Sequence, residues 1–330
     1  MPNELEQRAG RAIAERTFPG CVIGLVHANG EHVVLPFGRF TYASDSSAVE
    51  HDTIYDMASV TKSVPVASLA LTFIAEGKMR LSEKVRTYLP ELQNHYDATV
   101  EDLLRYRVRG ARMSTLGLKT FEEIRTRIFE TGFSGPPGAF VYTNVPAFFL
   151  GIIIERVGGA ILPALADRYF FGPLEMRDTT FFPHDISRIP PTEIIAGEEI
   201  HGIVHDESAR VFSRARRAVG HAGVFSTAPD ILKFLAALLR GQMPHVLSGA
   251  QDGLGWQRAE PWFMGTHVAD QAFGKTGFTG TSVAVDPHKG IGLVVLSNRT
   301  YPERPVDAAE LTSAINRFRG DVADIVFGGK

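Results

Sequence analysis

Apolar residues recur along this chain with two different periods, and the changes of period divide it. Between Asn3 and Thr17, Leu5, Ala9 and Ile13 fall four residues apart, the spacing of one helix face, and Pro19-Gly20 ends the pattern. Two apolar runs follow, Cys21–His27 and His32–Phe37, around Ala28-Asn29-Gly30-Glu31. An Asn-Gly pair between such runs predicts a β-hairpin, because both residues accept the positive φ of a tight turn. A polar loop from Tyr42 to Asp52 leads to the apolar run Ser63–Ala75, which predicts a helix ended by Gly77. Pro65 lies inside that run, where it removes the bond to the Thr61 carbonyl, so a kink or a tighter first turn is expected.

Beyond Gly77 the helical period dominates. Thr99 with Asp102, and Thr120 with Glu123, have the spacing of capping boxes. Ser134-Gly135-Pro136-Pro137-Gly138 reads as a loop, and Asn144 as the cap of an apolar helix from Val145 to Val157. Residues 183–222, rich in Pro, His and Arg, read as irregular. Thr227-Ala228-Pro229-Asp230 starts a helix, Ile231 to Leu239, stopped by Gly241. Near Ala272 the period returns to two: Thr281–Asp286 and Gly290–Ser297 read as strands, and Asp307–Phe318 as a closing helix. The simplest architecture is α+β. One antiparallel sheet with flanking helices is built from both chain ends, residues 1–62 and 255–330. A mostly helical domain, 63–254, is inserted, and a site is expected at the seam.

Composition narrows the functional classes. The chain has 330 residues, 44% of them hydrophobic, which is ample for a sizeable core. A net charge of -3 gives no global electrostatic case for nucleic acid or a membrane surface. The single cysteine, Cys21, excludes an internal disulfide and reads as a small buried hydrophobe. The N-terminal residues lack a basic stretch followed by an apolar one, and the apolar window Ala147–Ile154 is far short of the ~20 residues of a membrane span. A cytoplasmic protein acting on a small molecule, without a cofactor, is the resulting expectation.

The chemistry centres on Met57-Ala58-Ser59-Val60-Thr61-Lys62. Residues three apart share a helix face, so Lys62 would point back beside the Ser59 hydroxyl. A serine hydroxyl becomes a useful nucleophile when a neighbouring base takes its proton, and a buried lysine of lowered pKa can be that base. The unpaired N–H groups of a first helical turn can hold an oxyanion. Alone, the pattern also fits a serine capping a helix with a solvated lysine behind it.

Two further motifs complete a set: Tyr142-Thr143-Asn144, between a Pro/Gly loop and a helix, and Lys275-Thr276-Gly277, opening the last strand group. In this order the three motifs resemble those of the serine β-lactamase and penicillin-recognising superfamily. The tyrosine of the second motif is the mark of its class C-like branch, which also holds esterases, D-amino-acid peptidases and acyltransferases. Tyr55–Ser59, Gly138–Tyr142, Gly220–Thr227 and Gly277–Thr281 extend the resemblance over most of the chain. It implies a β-lactamase/transpeptidase-like fold, a covalent acyl-Ser59 intermediate and a small ester or amide substrate. It further implies Lys62 as proton acceptor and Tyr142 as second base, its pKa depressed by Lys62 and Lys275. Asn144 would orient Lys62 and a substrate amide. The edge formed by Lys275, Thr276 and Gly277 would bind substrate backbone, and the oxyanion would meet the N–H groups of Ser59 and Phe278. Arg105–Arg112 stands where many relatives carry a Thr-Ser-Gly-like loop, and Phe278 is bulky, so the pocket should differ from theirs.

Competing patterns are weaker. Ala269–Thr276 is one residue from a phosphate-binding loop but feeds a strand rather than a helix. His201, His205 and Asp206 have metal-like spacing without an evident third site. His221 reads as a structural histidine that could approach the site. Arg210, Arg214, Arg216 and Arg217 read as a solvated face, with an anion site as the alternative. A true β-lactamase and a catalytically silent binding protein on the same fold remain the alternative functions.

Overall fold

In the computed structural model, which describes residues 1–304 and 308–329, both ends of the chain feed one sheet. Across it the strands run in the order His32–Gly38, Gly20–His27, Ile291–Ser297, Ser282–Asp286, Phe273–Thr276 and Gln257–Arg258. Each is antiparallel to its neighbours. The Asn-Gly hairpin forms as expected, with His27 N–H donating to Glu31 O at 2.8 Å and Gly30 at φ +97°.

Gly20–His27 is buried on both faces. Cys21, Ile23 and Leu25 meet the N-terminal helix Pro2–Ala14 and the C-terminal helix Ala308–Gly328 through Leu5, Ala9, Phe318 and Val322. Val22 and Val26 belong to the larger core on the other face, with helix Ala228–Leu239. A Cβ on Gly24 would lie 3.1 Å from Leu232 Cδ1, so this glycine lets the helix settle directly on the strand. Burial of apolar surface on both faces is the main force holding the layers together.

The large core continues without a break into the helical part, where Val145–Gly158 is the central rod. Both capping boxes form: Thr99 and Thr120 accept from the N–H groups of Asp102 and Glu123, whose carboxylates return the bond. Thr227 likewise caps Ala228–Leu239 through Asp230 N–H.

One expectation is sharpened and two are corrected. The apolar run after Ser59 has both the kink and the tighter first turn expected at Pro65, and the kink breaks the helix. A 3-10 turn, Ala58–Lys62, is followed by a break at Val64 (φ -114°, ψ 104°) and only then by the α-helix Ser68–Ala75. The residue before a proline is pushed out of the α region, and Pro65 imposes that on Val64. Ala58–Ala75 also has the length and mean hydropathy (1.4) of a membrane span, but 78% of it is buried inside the protein. Second, residues 183–222 are partly ordered, with the hairpin Glu193–Ile195/Glu198–Ile200 and the helix Glu207–Arg214. Asp206 caps that helix with its carboxylate, which accepts from Ala209 N–H. Third, the closing helix runs on to Gly328, while Asp307, its expected start, lies outside the described residues.

Candidate active site

The turn that carries Ser59 is strained and stitched on every side. Ala58 adopts φ +46°, a left-handed conformation costly for a residue with a Cβ. Asp56 holds it there: Oδ1 accepts Ala58 N–H at 2.8 Å, and Oδ2 accepts His205 N–H at 2.7 Å. Tyr55 and Asp56 pair with Ser226 and Phe225, and Met57 N–H donates to Val224 O at 2.8 Å. Ser59 is thereby presented half-buried, with Lys62 Nζ 2.8 Å from its Oγ.

Lys62 itself is 1% exposed, and its Nζ also donates to the His221 carbonyl at 2.6 Å. Burial disfavours its charged form, and against the opposing pull of Asp206 its pKa falls to about 7. Such a lysine is partly neutral near pH 7 and can accept a proton. Burial works to raise the Asp206 carboxyl too, but His221 and hydrogen bonds from Ala209 N–H and the Ser208 hydroxyl outweigh it and hold the group ionised. Asn144 Nδ2 donates to the same carboxylate at 3.2 Å. That is a correction: Asn144 occupies the cap position of Val145–Gly158 but makes no side-chain cap bond, and its amide turns to Asp206 rather than to Lys62.

Tyr142 rides on a loop zipped onto the segment that precedes it in space. Val141, Gly138 and Ser134 N–H groups donate to the carbonyls of Tyr106, Arg107 and Arg109 at 2.8–2.9 Å. This is the structural use of the altered Arg105–Arg112 stretch, whose Gly110, Ala111 and Arg112 also line the cleft. The Tyr142 hydroxyl meets Ser59. Its pKa is pushed up to about 12, opposite to the expected depression: although 46% of the residue is exposed, desolvation at its hydroxyl penalises phenolate, and Ser59 offsets only part of that. The two lysines meant to depress it are buried themselves and shifted toward neutrality.

Lys275 is the second correction. At 1% exposure it does not line the cleft, and its Nζ sits 4.7 Å from the Tyr106 ring centroid and 4.6 Å from that of Tyr142. Burial drives its pKa well below the ordinary lysine range, and Lys62 adds to the shift. Among the described residues it has no carboxylate partner, and it packs against the faces of Tyr106 and Tyr142.

Thr276, Gly277 and Phe278 do reach the cleft, a space of about 560 Å³ also lined by Ser59, Tyr142, Asn144 and Asp206. On the cleft side, Lys275 and Thr276 have no strand partner, because Gln257–Arg258 pairs only with Gly274 and Phe273. The edge is therefore open to an extended substrate. The first backbone bond of the Ser59 turn is made by Val60 N–H, so Ser59 N–H lies ahead of it. Among the described residues Phe278 N–H has no backbone acceptor. Arg319 donates to the carbonyls of Gly277 and Thr281 at 2.8 and 2.7 Å, and Arg299 to that of Phe278 at 2.6 Å.

Gly277 is required by closeness. A Cβ there would lie 2.6 Å from Met57 O and 2.1 Å from Thr281 Oγ1. Gly277→Ala is expected to push the strand and the Ser59 turn apart and to lower kcat/KM about 100-fold, the effect of a misplacement near 1 Å. Steady-state kinetics beside a thermal melt checks this; an unchanged kcat/KM would show that the contact does not set the geometry.

The other sequence candidates disperse. His205 Nε2 pairs with Glu193 at 3.0 Å, His201 Nε2 with the Ile186 carbonyl at 3.0 Å, and Asp206 faces the site, so the three do not converge. Arg210 is buried and donates to the Val204 and His205 carbonyls, while Arg216 and Arg217 stack over Phe182 and Phe121. The residues that sequence reasoning missed are Asp56, Tyr106 and Asp206, which join the site from three separate segments. His221, read as structural, enters it through its carbonyl.

Comparison with known proteins identifies the family and the fold. The chain is 26% identical to the N-acetylmuramyl-L-alanine amidase of Bacillus subtilis (strain 168), over 82% of its own length and 72% of the other's. In fold it resembles a simvastatin synthase variant from Aspergillus terreus (TM-score 0.73, 19% identity, covering 98% of this chain and 95% of that one). It also resembles EstCE1, a hydrolase with promiscuous acyltransferase activity (TM-score 0.73, 18% identity, covering 97% and 98%). A strained serine turn with a buried lysine at hydrogen-bond distance is thus seated on a fold shared with these two enzymes. With the Beta-lactamase family model matching residues 5–316, the chain belongs to the beta-lactamase family of serine hydrolases.

Proposed function

We propose that this protein transfers acyl groups through a covalent ester on Ser59, acting on a small ester or amide. The observation that carries the reading is the 2.8 Å contact between Ser59 Oγ and a buried lysine whose pKa is about 7. Neutral Lys62 accepts the Ser59 proton as Oγ bonds to the substrate carbonyl carbon. The carbonyl electron pair moves to oxygen, which faces the Ser59 and Phe278 N–H groups. As the intermediate collapses, the departing alkoxide or amine takes a proton from the Tyr142 hydroxyl, which Lys62 replenishes. Water, or an alcohol or amine acceptor, then follows the reverse path and restores Ser59.

With its pKa raised, Tyr142 acts here as a proton donor and relay rather than as a resting phenolate. Tyr142→Phe keeps the ring over Lys275 and deletes only the hydroxyl. Loss of about 10²–10⁴-fold in kcat is expected. A variant within about threefold of wild type would assign the protons to Lys62 alone.

Phe140 (64% exposed), Tyr142 (46%) and Phe278 (42%) put aromatic surface at or beside the cleft, which supports an apolar acyl group. Phe278 also stacks on His205, with centroids 5.7 Å apart, and narrows the site. We therefore infer esterase, amidase or acyltransferase activity, with β-lactam turnover slow or absent. Nitrocefin and short-chain p-nitrophenyl esters assayed with one preparation test this. A nitrocefin kcat/KM above about 10⁵ M⁻¹s⁻¹ with inert esters would instead establish a β-lactamase.

A further inference from the structure

A second cavity, of about 420 Å³, shares no lining residue with the cleft over Ser59. Its size falls in the range of small-molecule sites, about 300–1,000 Å³. Phe148, Ile152, Leu162, Phe212 and Val219 give it apolar walls, with the Phe148 and Phe212 rings 5.8 Å apart. Bare backbone forms another part of its lining. A Cβ on Gly220 would lie 2.1 Å from Ala147 O, and one on Gly151 would lie 2.9 Å from Gly220 N, so the two chains meet without side chains between them.

The charged groups of this cavity are unevenly matched. Arg125 and Arg156 are both engaged by Glu91, at 3.5 and 3.0 Å. Arg216 and Arg217 are exposed and lie over the Phe182 and Phe121 rings, 4.5 and 5.5 Å from their centroids. Among the described residues neither forms an ion pair. The acid in the lining is Glu155, whose Oε1 accepts Leu162 N–H at 2.7 Å. Burial raises the Glu155 pKa and the nearby Arg217 pulls it back. Two guanidinium groups without an ion pair among the described residues, against one carboxylate, leave at least one positive charge at an apolar cavity.

We propose that this cavity binds a monoanionic amphiphile, an alkyl or aryl carboxylate, with its apolar part against the wall that the packed Phe148 and Phe212 rings form with Ile152 and Leu162, and its head at Arg216 and Arg217. The site is separate from the acyl-transfer cleft and its occupancy requires no turnover. Titration calorimetry with octanoate, beside a crystal grown with octanoate, provides the test. One-to-one saturable binding is expected, with density in this cavity. The neutral analogue 1-octanol should bind at least about tenfold more weakly. The double charge reversal R216E/R217E, checked for folding by circular dichroism, should weaken octanoate by a similar factor because both residues are exposed. Ile152→Trp, which fills the cavity without touching the charges, should weaken octanoate and 1-octanol alike. Absence of saturable binding at millimolar octanoate, equal affinity for 1-octanol, indifference to charge reversal, or density confined to the Ser59 cleft would each overturn the proposal. None of these outcomes bears on acyl transfer at Ser59.

Discussion

Ser59→Ala is expected to lose roughly 10⁵–10⁶-fold in kcat with a p-nitrophenyl ester, the scale seen when a nucleophile is removed from an acyl-transfer enzyme. Intact-protein mass should show an acyl adduct on the wild type under burst conditions and none on the variant. The fold should survive, because the Ser59 hydroxyl supports nothing but its own site. Lys62 keeps its bond to the His221 carbonyl, and Asp56 still holds Ala58 in its left-handed conformation. An adduct of the same mass on Ser59→Ala would place the nucleophile elsewhere. Retained binding of substrate with lost turnover is the expected split, since the Thr276–Phe278 edge is untouched.

Lys62→Met is expected to lower kcat/KM by about 10²–10⁴-fold while making the protein more stable. Lys62 is an ionisable group 1% exposed, with its pKa down from 10.5 to about 7. Between those values the unfolded chain binds a proton that the native protein does not, so wild-type stability rises with pH across that window. Below pH 7 the full penalty applies; above 10.5 it vanishes. Methionine has similar length and no charge, so a gain of about 1–3 kcal/mol at pH 6 is expected after allowing for the two lost hydrogen bonds. That gain should shrink toward pH 10. Thermal melts of both proteins at pH 6, 8 and 10 measure it, and a variant less stable at pH 6 would contradict the burial argument. The wild-type kcat/KM profile should fall about tenfold per pH unit below pH 7, as Lys62 takes up its proton. A flat profile from pH 5.5 to 8 would remove Lys62 as the base.

The order of the elements was written in the sequence because it depends on local rules. Asn29-Gly30 forms a hairpin wherever two strands flank it, and Thr99 and Thr120 cap helices through residues three positions away. Ser59 and Lys62 meet because they are three positions apart, and that relation survives even though the turn is 3-10 and the run behind it is broken. The three motifs, in order, announced which chemistry to expect.

What only the tertiary structure decided is the electrostatic state of the site. Asp206 and Tyr106 lie far from Ser59 in sequence, and no spacing rule joins them. Asp206 is brought in as a helix cap, and Tyr106 as half of an aromatic enclosure around Lys275. Burial, a property of the folded assembly, lowers the Lys62 and Lys275 pKa values and raises that of Tyr142, reversing the sign a count of nearby cations implies. Short-range geometry is encoded in neighbouring residues, whereas desolvation and long-range pairing exist only once both chain ends have closed around the helical core. Local sequence therefore brought Ser59 and Lys62 together, and packing decided which other groups surround them and how burial shifts their pKa values.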